Sequence, residues 1–201
     1  MITNNLTILQ KDAKGTAEVS MLACELDKHI MFLNGEINST TATDFIHQLI
    51  AMNMDETNQL PIKLIITSTG GSVEAGLAIY DAIKSSKLPI YTICIEKAYS
   101  MAAILLSAGN KRYIFPHSKV MIHQPIVNSN ISGDIQDLHS LTDNLSDVYS
   151  TITQILCETT KKSKEEIEQA ISYDHYFSAE EAIQFHLVDE YIGFSALMND
   201  L

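Results

Sequence analysis

Cysteine is scarce in this chain, and the little there is falls in no pattern. Cys24, Cys94 and Cys157 are odd in number and far apart, and none sits in a CxxC or Cys/His spacing. Neither a disulfide framework nor a zinc site is indicated, and the three read as buried thiols in a reducing compartment. Positive charge is also scarce: 13 Lys and Arg stand against 25 Asp and Glu, a formal net charge of -12. Nucleic acid and anionic membrane surfaces call for clustered Lys and Arg, so no nucleic acid and no membrane is expected as a partner, and proteins or peptides are. Long apolar runs are missing. The longest, around Ala102 to Leu106, falls far short of a bilayer span, and no charged N-terminal segment leads into an apolar core. The expected location is cytoplasmic. No repeat, low-complexity tract or Pro/Gly-rich linker marks a second domain.

What is present suffices for one core: 201 residues, 46% of them apolar. Residues 1–20 are polar and weakly patterned, and their start is expected to be mobile unless a partner orders it. From there, "HIMFLNGEI" reads as a strand and turn, and Phe45, Leu49 and Met52 mark a helix. "PIKLIIT" is a second strand that stops at "STGG", followed by a helix with Val73, Leu77 and Tyr80 on one face. "LPIYTICI" and "SMAAILLSAG" repeat the step, with Gly109 at the helix C′ position. "RYIFP" and "KVMIHQP" follow as short strands. Alternating strands and helices imply an α/β fold with a largely parallel sheet and functional loops at its strand ends. After the polar "IVNSNISG", apolar residues from Ile135 through Leu138, Leu141, Leu145, Val148 and Ile152 to Ile155 describe one long amphipathic helix. Ser163 with Glu166 and Ser178 with Glu181 form two capping boxes, which makes "SYDHYF" between them a connection.

Several residues stand out for chemistry. "TSTGGSV" puts two glycines between a strand and a helix, where glycine's backbone freedom lets N–H groups face a cavity and an anion sit there, but no Lys-Ser/Thr follows to grip a phosphate. Ser100 lies at a strand end and helix start, where it serves equally as an N-cap or a nucleophile, and it is not in a G-x-S-x-G elbow. His123 follows an apolar strand directly, and Asp174 lies in the link between capped helices. Each has a bland structural reading. Together they supply nucleophile, base, orienting carboxylate and oxyanion donors for acyl transfer.

Three stretches, "STGGSVEAGLAIYDAI", "AYSMAAILLSAGNKRYIFPHSKVMIHQP" and "YFSAEEAIQFHLVD", resemble the proteolytic subunit of the Clp protease (ClpP) family, in order and over about residues 25–192. The resemblance implies Ser100 as nucleophile, His123 as general base, Asp174 as its orienting carboxylate, and backbone N–H groups of Gly71 and Met101 as the oxyanion hole. It implies a crotonase-like αβ superhelix: residues 1–20 as an N-terminal segment and axial loop, and residues 21–201 as the protease domain, with a projecting handle at about 125–160. Handles would interlock seven-membered rings into a barrel with the active sites inside. A Clp-type AAA+ ATPase would feed it unfolded proteins. ATP would be used by that partner, and no cofactor or metal is expected in this chain. Activity is expected to rise with pH as His123 loses its proton.

The sequence departs from the family at four places. The segment after Met-Ile-His-Gln-Pro has Gly133 as its only glycine; Ser172 and Tyr173 replace a charged pair; an N-terminal Gly-Glu-Arg stretch is absent; and Tyr99 stands where a small residue is common. The last implies a reshaped or partly blocked first specificity pocket. These departures keep open a non-hydrolytic ring subunit assembling with a typical paralogue. A crotonase-type acyl-CoA enzyme shares the fold but has no need of a Ser-His-Asp set.

Overall fold

The computed structural model describes residues 6–12, 15–55, 57–126 and 133–198. The chain opens with β1 (Thr7–Asp12) and β2 (Gly15–Ser20), paired antiparallel from Thr7↔Ser20 to Asp12↔Gly15. This exposed hairpin orders much of the segment that looked unpatterned in sequence. A short helix α1 (Met21–Asp27), capped by Ser20, leads into the main sheet.

The sheet is built by the expected alternation: β3 (Ile30–Ile37), α2 (Ser39–Met54), β4 (Ile62–Gly71), α3 (Val73–Ser85), β5 (Ile90–Tyr99), α4 (Met101–Ser107), then β6 (Lys111–Ile114) and β7 (Lys119–Ile122). Strands β3, β4, β5 and β6 lie side by side and parallel. β4 reads as a nearly continuous buried run because both faces of a parallel sheet are covered. It runs on through Gly71, beyond the point where its apolar letters stop. β5 is long enough to hold two neighbours on one edge: residues Tyr91 to Cys94 pair with β6, and Lys97 to Tyr99 with β7.

In α2, Phe45, Leu49 and Met52 are buried, as their spacing predicts. In α3 the stripe lies one step around. Ala75, Gly76, Ile79 and Ile83 are buried, while Val73, Leu77 and Tyr80 are half-buried against the same core. All seven residues of α4 are buried, so this helix lies inside the molecule. It closes at Ala108, which puts Gly109 at C′, where a Cβ would lie 2.5 Å from Thr92 Oγ1.

The long helix is α5 (Ile135–Thr160), capped by Asp134 in a box with Asp137. Its last turns bury Ile152, Ile155 and Leu156, but Ile135 is 75% and Leu138 44% exposed, so its first half leaves an apolar stripe uncovered. The glycine-poor segment ahead of it lies mostly outside the described residues, which resume at Gly133. Both predicted capping boxes form, at α6 (Lys164–Ile171) and α7 (Ala179–Gln184). The link between them is not a plain connection: His175–Ser178 is a strand, β8, antiparallel to β7. Its alternating His, Tyr, Phe and Ser were masked in sequence by the helix signals on either side. β9 (Glu190–Tyr191) joins β6 at the far edge, and α8 (Phe194–Met198) ends the described chain. Among the described residues no helix is long and apolar enough to cross a membrane.

Candidate active site

Ser100 occupies the N-cap position of α4, but its side chain makes no capping hydrogen bond. Its backbone stands at φ 54, ψ −125, a conformation that costs a non-glycine residue about 1–3 kcal/mol. A sharp strand-to-helix turn of this kind usually has glycines beside the serine. Here the room comes from other elements. A Cβ on Gly70 of β4 would lie 2.9 Å from Ser100 Cβ and 2.6 Å from the Tyr99 carbonyl oxygen, and one on Gly76 of α3 would lie 2.2 Å from Met101 Cγ. The strained turn leaves the hydroxyl free of the helix, and the choice between cap and nucleophile falls against the cap.

The hydroxyl goes instead to His123. Ser100 N–H donates to the Met121 carbonyl at 2.8 Å, which fastens the serine turn to β7 one step before the strand ends. His123 comes directly after that strand, and its Nε2 lies 2.7 Å from Ser100 Oγ. The third group follows from register. β8 pairs Ile122 with His175, so the next facing positions along the ladder are His123 and Asp174. His123 Nδ1 stands 3.4 Å from Asp174 Oδ1. This contact favours the tautomer with the proton on Nδ1 and the Nε2 lone pair toward the serine. Asp174 is 64% exposed, so in this partly aqueous setting its charge orients the ring more than it stabilises it.

Ser100, Met101, His123, Gly70 and Gly71 border one cavity of about 390 Å³. Met101 is the first residue of α4, and its N–H has no carbonyl one turn back to receive it. The cavity is also lined by Glu36, Val73, Ile104, Pro125 and Ile152. Glu36 and Pro125 carry no periodicity to betray them. Glu36 arrives through pairing of its strand with Gly70, a register that no local pattern encodes. Tyr99 departs from expectation. Its ring packs edge-on against Tyr176 at 5.5 Å and is not among the lining residues, so it does not block the cavity. At the replaced charged pair, the Ser172 hydroxyl donates to the Gln169 carbonyl, and the Tyr173 ring stacks on His175.

No thiol competes for the role of nucleophile in this cavity. Burial pushes the Cys94 thiol up to about 12, and Cys157 is raised by the same cause. Iodoacetamide at pH 8 is therefore expected to leave Cys94 unmodified in the folded protein, as peptide mapping by mass would check. Among the described residues no group of three or more His, Cys, Asp or Glu is arranged to hold a metal ion.

The family model for Clp protease matches residues 13–194. The chain belongs to the Clp protease family. The mostly parallel sheet with helices on both faces is the ClpP-type fold, and the family is one of serine peptidases.

Proposed function

We propose that this Clp protease family member is an active serine endopeptidase subunit, with Ser100 as nucleophile, His123 as general base and Asp174 as the orienting carboxylate. The observation that carries this reading is an uncapped, strained serine hydroxyl 2.7 Å from an imidazole nitrogen whose other nitrogen faces a carboxylate. Ser100 Oγ attacks the peptide carbonyl as His123 Nε2 takes its proton. The carbonyl oxygen gains negative charge and is held by the N–H groups of Gly71 and Met101. His123 then gives its proton to the amine of the breaking C–N bond, leaving an acyl ester on Ser100. Water, deprotonated by the same imidazole, hydrolyses that ester. No cofactor enters these steps.

The decisive test is labelling with a fluorophosphonate, read by intact mass. One adduct per chain is expected in the wild type and none in Ser100→Ala. A wild type that stays unlabelled and cleaves no peptide would favour the non-hydrolytic ring subunit instead.

The same proposal extends to assembly into a barrel of two stacked heptameric rings, fed with unfolded proteins by a Clp-type AAA+ ATPase that uses the ATP. The uncovered apolar stripe of α5 supports the stacking, since Ile135 and Leu138 gain nothing from water. Leu138→Glu is expected to shift the particle from fourteen to seven chains in native mass spectrometry. An unchanged particle would place the ring contact elsewhere.

A further inference from the structure

We propose that Ser68 is a positioning residue for the acyl-transfer site: its buried hydroxyl clamps the irregular stretch of β4 that carries Gly70 and Gly71. The inference rests on the peptidase reading above and deepens it.

Ser68 is fully buried, a place where a hydroxyl is costly unless bonded. It lies where the sheet loses register on both sides. Against β3 the pairs run Asn34↔Thr67 and then Glu36↔Gly70, so β4 carries one extra residue. Against β5 they run Ile66↔Cys94 and then Ser68↔Ala98, so β5 carries two. Such a bulge leaves backbone groups without their ladder partners. The Ser68 hydroxyl takes two of them: it accepts from Gly70 N–H at 3.0 Å and donates to the Gly35 carbonyl. One side chain thereby ties the glycine pair to the neighbouring strand.

What it ties down is the wall of the nucleophile turn. Gly70 sits at φ 87, and the site where its Cβ would be is 2.6 Å from the Tyr99 carbonyl oxygen, 2.9 Å from Ser100 Cβ and 3.0 Å from Met101 N. The backbone of Gly70 is thus pressed against both the nucleophile and one oxyanion donor, and the next residue is the other donor. Ser68 reaches no substrate itself, and acts through Gly70.

Ser68→Ala leaves Gly70 N–H and the Gly35 carbonyl unpaired, so the bulge relaxes. A displacement approaching 1 Å at a catalytic group costs about 10²-fold in rate. The expected result, on a short fluorogenic peptide and per fluorophosphonate-titrated site, is a fall in kcat of about 10- to 100-fold with KM within about twofold. The apolar part of the cavity wall, Val73, Ile104, Pro125 and Ile152, lies outside the bulge, which is why KM should hold. Affinity for a peptide boronate, whose tetrahedral adduct on Ser100 uses the oxyanion donors, should fall in step. Thr92→Val is the control. Thr92 is equally buried and its hydroxyl donates to the Leu106 carbonyl at 2.6 Å, away from the cavity, so kcat should hold even as stability drops. If Ser68→Ala does not fold, Ser68→Cys keeps the volume with weaker bonding and should show the same loss confined to kcat. Unchanged kcat and boronate affinity in the Ser68 variant would overturn the proposal, as would an equal kcat loss in Thr92→Val. A wild type that hydrolyses no peptide and takes no label would overturn the peptidase reading, and this inference with it.

Discussion

His123→Ala is expected to lower kcat for a short fluorogenic peptide by about four to six orders of magnitude, with KM little changed. Among the described residues the imidazole is the base placed against Ser100 Oγ, at 2.7 Å, and without it the hydroxyl must lose its proton to water. Ser100→Ala should be as damaging. The double variant should be no worse than either single one, because nucleophile and base act as a unit and removing one member already idles the other. Stopped kinetics on the three proteins, each checked for folding by circular dichroism, would measure this. A His123→Ala enzyme within tenfold of wild type, on the scale of about 1.4 kcal/mol per decade, would mean that another group serves as base.

Gly71→Ala is the second large effect, and it works through shape. A Cβ at this position would lie 2.1 Å from the Ile37 carbonyl oxygen and 2.9 Å from Ile37 N, all backbone of β3, and the residue sits at φ 151. No flexible side-chain end is there to move aside. Either β3 or the glycine turn must shift, and the turn carries a proposed oxyanion donor. The expected loss in kcat is at least about 100-fold, with a lowered urea midpoint corresponding to about 1–3 kcal/mol. Gly193→Ala, where a Cβ would meet nothing within 4 Å, should leave both near wild type. If Gly71→Ala destabilises without affecting kcat per folded site, the Gly71 amide is not a donor in the reaction.

Much of the fold was legible because its signals are local. Phe45, Leu49 and Met52 repeat at helical spacing and are buried where that spacing points. Ser163 with Glu166 and Ser178 with Glu181 cap helices as three-residue steps demand. The failures came where two local signals competed or where none existed. β8 was hidden because it lies between two capped helices and is only four residues long, and what makes it a strand is the β7 edge it meets. The face of α3 was misplaced by one step because small residues, Ala75 and Gly76, face the core there and carry little hydrophobic signal. Tyr99 was expected at the cavity, and Tyr176, a residue on the hidden strand, holds its ring elsewhere.

By itself, the sequence determined the alternating α/β plan, the family, and the residue types for acyl transfer in their order along the chain. It left Ser100 suspended between cap and nucleophile, since both readings ask for a small hydroxyl at a helix start. Only the tertiary structure shows that the cap is not made and that the hydroxyl meets His123 instead. The choice depends on a backbone dihedral of +54°, on room opened by glycines from β4 and α3, and on the β7–β8 register that brings His123 to face Asp174. Those are relations between segments far apart in the chain, and a local pattern of side chains does not encode the distance between them.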